Sequence, residues 1–178
     1  MNRRGLILAL LVSLFPAVFL SQEKSDVKPE QIIGLWFDRW NALDGTEQTT
    51  NQLLELYRPE AFHQMGPNAK QVGSVRYEGI TAIRKMVDDF GKANKDISFK
   101  VQAVSANEKS GELLHLTQGS WGGPYVALQY IAAYTGRSDN RRWMYPGAAF
   151  FQIQDGKIRG VRFIAARDET MEVFEPPK

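Results

Sequence analysis

Apolar residues first recur at helical spacing: Ile32, Ile33, Trp36, Phe37, Trp40 and Leu43 share one face before the Asp44-Gly45 stop signal. Pro29 suits the first turn, so this is helix one. Thr49, Thr50 or Asn51 is placed to cap a second helix through Leu53, Leu54, Leu56 and Tyr57, which Pro59 disturbs or ends. A short segment at Ala61, Phe62 and His63 follows, then a loop rich in Gly and Pro. A third helix carries Ile80, Ile83, Val87 and Phe90 on one face, turns Asp88 and Asp89 away from it, and has Gly91 as its stop.

Beyond it the period drops to two. Ile97, Phe99, Val101 and Ala103 alternate with polar residues, and strand-like runs follow at 113–117, 125–134, 148–153 and 158–166. Asp155-Gly156 divides the last two, and both residues tolerate the positive φ of a type I′ turn, so these runs pair as a hairpin. Helices first and antiparallel strands after predict an α+β fold, with three N-terminal helices packed on one sheet.

Composition adds a location and removes several chemistries. Arg3 and Arg4 precede an apolar stretch shorter than the roughly 20 residues of a spanning helix, which reads as an export signal over residues 1–21. Residues 22–28 form a polar linker to a single domain at 29–175. The expected location is periplasmic or secreted, with no membrane span once the signal is cut and a membrane-anchored form if it is kept. The chain has 22 basic and 20 acidic residues, and without the two signal arginines the domain is formally neutral. That balance speaks against nucleic acid as a partner, because tracking phosphates requires clustered excess positive charge. The basic excess between Arg137 and Arg167, with Arg141 and Arg142 in a solvated hairpin loop, is the one region suited to an anionic partner. There is no cysteine, hence no disulfide and no thiolate chemistry.

No phosphate loop, dinucleotide fingerprint, nucleophile elbow or paired metal-spaced histidines are present, so neither a cofactor nor a metal is expected. Three features carry a resemblance. Tyr77 and Gly79 open the third helix ahead of Ala82, Ile83 and Arg84; Asp155-Gly156-Lys157-Ile158 writes the late hairpin; and Asp168 follows about ten positions later. In these the chain resembles the SnoaL-like branch of the nuclear transport factor 2-like superfamily, over roughly Gln31 to Phe174. The resemblance implies a cone-shaped α+β roll with a curved, mostly antiparallel sheet closed at one end by helices. It also implies a cavity near which Asp168, His63 and Tyr77 sit. Members of that branch include cyclases, isomerases, dehydratases, epoxide hydrolases and domains that only bind or associate.

The candidate residues follow from their surroundings. Asp168 ends the apolar run Val161, Phe163, Ile164, Ala165 and Ala166, where low polarity would raise a carboxyl pKa towards proton-transfer range; Arg167 or Arg162 would instead pair with it and lower it. His63, between Phe62 and the Gly-Pro loop, is the second catalytic candidate, as acid or base. Trp36, Trp40, Tyr77, His115, Trp121 and Tyr130 are the ligand-binding candidates, offering flat apolar faces with hydroxyl, imidazole or indole N–H handles; helical spacing also suits Trp36 and Trp40 to the core. The leading reading is recognition of a small apolar or aromatic molecule. The alternatives are a cofactor-free isomerase, cyclase or dehydratase, and an accessory or protein-interaction domain. A homodimer is expected, because the last long strand carries apolar or small residues on both faces.

Overall fold

The computed structural model describes residues 27–66, 75–107, 125–165 and 171–172. Helix α1 (Pro29–Asn41) and helix α2 (Glu47–Leu54) lead into strands β1 (Tyr57–Met65) and β2 (Val75–Glu78), and only then comes helix α3 (Gly79–Ala93). Strands β3 (Asn94–Asn107), β4 (Tyr125–Gly136), β5 (Arg142–Gln154) and β6 (Lys157–Ala165) follow, with a two-residue β7 (Met171–Glu172). The fold is α+β as expected, but two strands stand where three successive N-terminal helices were predicted.

Six strands run in the order β2-β1-β6-β5-β4-β3, with β7 beside β5. All neighbours are antiparallel except β1 and β6. The two halves of the chain therefore meet within the sheet: β1, from the first half, is zipped between β2 and the late strand β6. Asp155 and Gly156 adopt φ of 51° and 68°, and Gln154 pairs directly with Lys157, so the two-residue hairpin forms as its sequence dictates.

Local signals explain the helix ends. The Gln31 side-chain oxygen accepts the backbone N–H of Lys28 at 3.1 Å, closing the start of α1 around Pro29. Helix α2 begins earlier than Thr49: Thr46 is its N-cap, and Asp44 accepts the hydroxyls of Thr46 and Thr49, each at 2.7 Å. Its end at Leu54 precedes Pro59, which lies instead inside β1, where the register against β6 jumps from Tyr57–Ile158 to Phe62–Gly160. A proline lacking an N–H fits such a bulge and not a regular ladder. Arg58 ties the bulge to the neighbouring turn through Asp155 at 2.6 Å.

Gly91 is not a stop. It is buried in the last turns of α3, where a side chain would press on the backbone of Gly45 and on Leu43. Asp88, expected to face away, accepts the hydroxyl of the fully buried Thr50 at 2.7 Å and joins α3 to α2. Nor is the β4–β5 turn simply solvated, since Arg142 donates to the Thr135 hydroxyl at 3.3 Å and Arg141 lies over the Trp143 ring.

Helix α1 closes one side of the core. The Asn41 amide accepts the N–H of Phe99 at 2.6 Å and donates to the same residue's carbonyl at 3.3 Å, so a side chain stands in for a further strand on the edge strand β3. Trp36, Phe37, Phe99, Tyr130, Phe151 and Phe163 then meet beneath it, ring against ring. Among the described residues no helix is long and apolar enough to cross a membrane.

Candidate functional site

Strand register decides which side chains share the helix-covered face. His63 lies opposite Tyr77 on β2 and Val161 on β6, and the next inward row joins Met65 to Phe163. Two residues singled out from sequence, His63 and Tyr77, are thus cross-strand neighbours, with Tyr77 packed against the edge of the core. The same alternation places Tyr130 inward beside Gly147, its ring lying over the glycine where a methyl group would otherwise stand.

His63 is 2% exposed, and its ring stacks on Phe163 at 5.2 Å with only 7° between the planes. Its Nδ1 is 3.4 Å from the Tyr57 hydroxyl, which in turn accepts the Trp36 indole N–H at 2.7 Å. A polar chain therefore runs from α1 through the first residue of β1 to the middle of that strand, inside an aromatic interior. Trp40 stacks obliquely on Trp36 at 5.4 Å. Its indole N–H is buried and makes no hydrogen bond among the described residues. An unsatisfied buried donor costs about 1–3 kcal/mol, so this one is poised for an acceptor.

The electrostatics are those of buried, uncharged groups among aromatic rings. Burial pulls the His63 imidazole down to about 3, so the ring is neutral at physiological pH. Burial also pushes the Tyr57 phenol above its ordinary value, against the opposing pull of the Trp36 N–H. A neutral imidazole of such low basicity is a poor proton acceptor but a competent hydrogen-bond donor. Among the described residues no cluster of three or more His, Asp or Glu is gathered to hold a metal ion.

The remaining candidates divide in two. Trp36, Trp40 and Tyr130 are all buried and belong to one aromatic assembly, as helical spacing implied for Trp36 and Trp40. Asp168, His115 and Trp121 lie outside the described residues, as do the export signal, most of the linker and the strand-like run at 113–117. The sequence pattern places Tyr57 at the end of helix two, because the four-residue register shift that follows it conceals the period of two.

A family model described as a SnoaL-like domain matches residues 34–161, well over half of the chain. The chain belongs to the SnoaL-like family. No curated protein matches the sequence. Among solved structures, this SnoaL-like domain is similar to the epoxide hydrolase/cyclase-like enzyme SalBIII of pyran ring formation in salinomycin. That match has a TM-score of 0.59 at 18% identity, over 81% of this chain and 95% of the other. An NTF2-like protein of unknown function from Exiguobacterium sp. 255-15 aligns with a TM-score of 0.55 at 18% identity, over 75% of this chain and 97% of the other. A protein with a ketosteroid isomerase-like fold from Catenulispora acidiphila, solved with trimethylamine, aligns with a TM-score of 0.54 at 11% identity, over 79% and 88%. At these identities the likeness is one of fold, the nuclear transport factor 2-like fold expected from sequence.

Proposed function

We propose that this chain is an exported SnoaL-like domain that holds a small apolar or aromatic molecule in a cone between its helices and sheet. The observation that carries the reading is the chain Trp36–Tyr57–His63, a set of uncharged polar groups buried among aromatic rings, with the Trp40 N–H beside it still lacking an acceptor. Burying donors in such surroundings costs free energy unless a partner arrives, and a neutral ligand with one acceptor atom supplies it. Rings provide the contact area, while the few polar groups fix orientation.

The outer face of the sheet favours a homodimer. Gln102, Gln129, Ile131, Pro146, Ala148 and Ile164 line a shallow depression of about 470 Å³ on it, and Ile164 is 41% exposed. Native mass spectrometry of the protein purified from its source tests both points. The expected spectrum shows a dimer carrying one small neutral molecule per chain; an empty monomer would overturn them.

A second reading, cofactor-free acid–base catalysis, draws on the cyclase-like chemistry named for one structural neighbour and on the neutral, donor-competent His63. Asp168 would move the proton, and His63 or Tyr77 would steady the developing oxyanion. Release of a chemically altered molecule marks this reading, whereas the binder releases its ligand unchanged.

A further inference from the structure

Two features of His63 are fixed by different neighbours. Stacking on Phe163 at 5.2 Å holds the plane of the imidazole, but a stack is indifferent to which nitrogen carries the proton. That choice belongs to hydrogen bonding. The neighbour within reach of Nδ1 is the Tyr57 hydroxyl, at 3.4 Å.

Tyr57 is itself constrained. A phenol has one proton to give, and an indole N–H is a donor with nothing to accept it. Trp36 donates to the Tyr57 oxygen at 2.7 Å, so the hydroxyl proton is turned away from that indole. His63 Nδ1 is the acceptor that the described surroundings offer it. All three side chains are buried, which keeps bulk water from competing for these bonds.

We infer that Tyr57, oriented by Trp36, is a positioning residue that fixes His63 as the tautomer protonated on Nε2. His63 then presents an N–H donor to whatever occupies the interior, and the ligand group facing it is a hydrogen-bond acceptor. This consequence rests on the binding reading above; the tautomer itself does not. The role of Tyr57 is indirect, since it acts through His63.

The test is the nitrogen spectrum of the histidine rings in the full chain, labelled with ¹⁵N-histidine and free of added ligand. The chain has 2 histidines, so a His115→Gln variant assigns the remaining ring to His63. The expected wild-type pattern at neutral pH is a proton on Nε2 and a bare, hydrogen-bonded Nδ1. In Tyr57→Phe both nitrogen signals move towards the average of the two tautomers. A wild-type ring protonated on Nδ1 or on both nitrogens, or ring signals identical in Tyr57→Phe, would overturn the inference. If Tyr57→Phe does not fold, the wild-type pattern decides, together with a through-bond correlation from the Tyr57 hydroxyl proton to Nδ1. Because no ligand is present, failure here leaves the binding reading standing, and an empty site leaves the tautomer assignment standing.

Discussion

Burial of His63 gives the protein a particular sensitivity to acid. In the unfolded chain the imidazole takes up a proton near its ordinary value of 6.5, whereas in the folded chain it resists protonation down to about 3. Between these values the unfolded state binds more protons, so stability is complete above about pH 6.5 and falls as the pH drops towards 3, by at most about 1.4 kcal/mol per pH unit. Asp44, held down to about 2 first by the Thr46 hydroxyl, and Glu60, held low by its own backbone N–H and by Arg58, add acid losses only below the ordinary carboxylate range. Urea unfolding midpoints between pH 6.5 and 4.5 thus isolate the histidine among the described groups: they should decline in the wild type and stay nearly level in His63→Gln. Equal slopes would show that His63 is not the cause. The imidazole was legible in the sequence as a candidate, but its neutrality was not, because that depends on Phe163, a hundred residues away, closing over it.

At the scale of elements, the fit of β4 to β5 shows how a glycine can serve a neighbouring side chain. Tyr130 is packed among Phe37, Phe99 and Phe163 with its ring across Gly147, its direct partner in the ladder. A methyl group at Gly147 would meet that ring, and a buried ring has nowhere to swing without displacing others. Gly147→Ala should therefore destabilise the fold by about 1–3 kcal/mol in urea unfolding, and a change within about 0.5 kcal/mol would contradict this packing. Neither the pairing nor the cost could be read from the sequence, since both are set by register. What the pattern did disclose was local: the apolar stripe of α1, the face of α3 and the Asp155-Gly156 turn are written in consecutive residues. Strand β1 escaped notice because its bulge breaks the alternation that identifies strands, and β2 because four residues carry too short a pattern.

In the whole molecule, the two halves of the chain are joined by the parallel pairing of β1 with β6, and this places α1, Tyr57 and His63 against the late strands. Sequence supplied the α+β class and the family resemblance, whereas the β1–β6 junction is a long-range event with no local signature. The polar chain sits at that junction, so the fold itself sets the uncharged groups of the interior side by side. If a small molecule occupies the interior, the group with most to gain is the Trp40 N–H, which is buried and unsatisfied among the described residues. The chain has 4 tryptophans, so its indole N–H groups give few, separable signals in a ¹H–¹⁵N correlation spectrum. Titration with 2-acetylnaphthalene, a neutral flat ketone, should move the Trp40 indole signal saturably downfield as it acquires an acceptor; saturable binding that leaves the Trp36 and Trp40 signals unmoved would contradict an interior site.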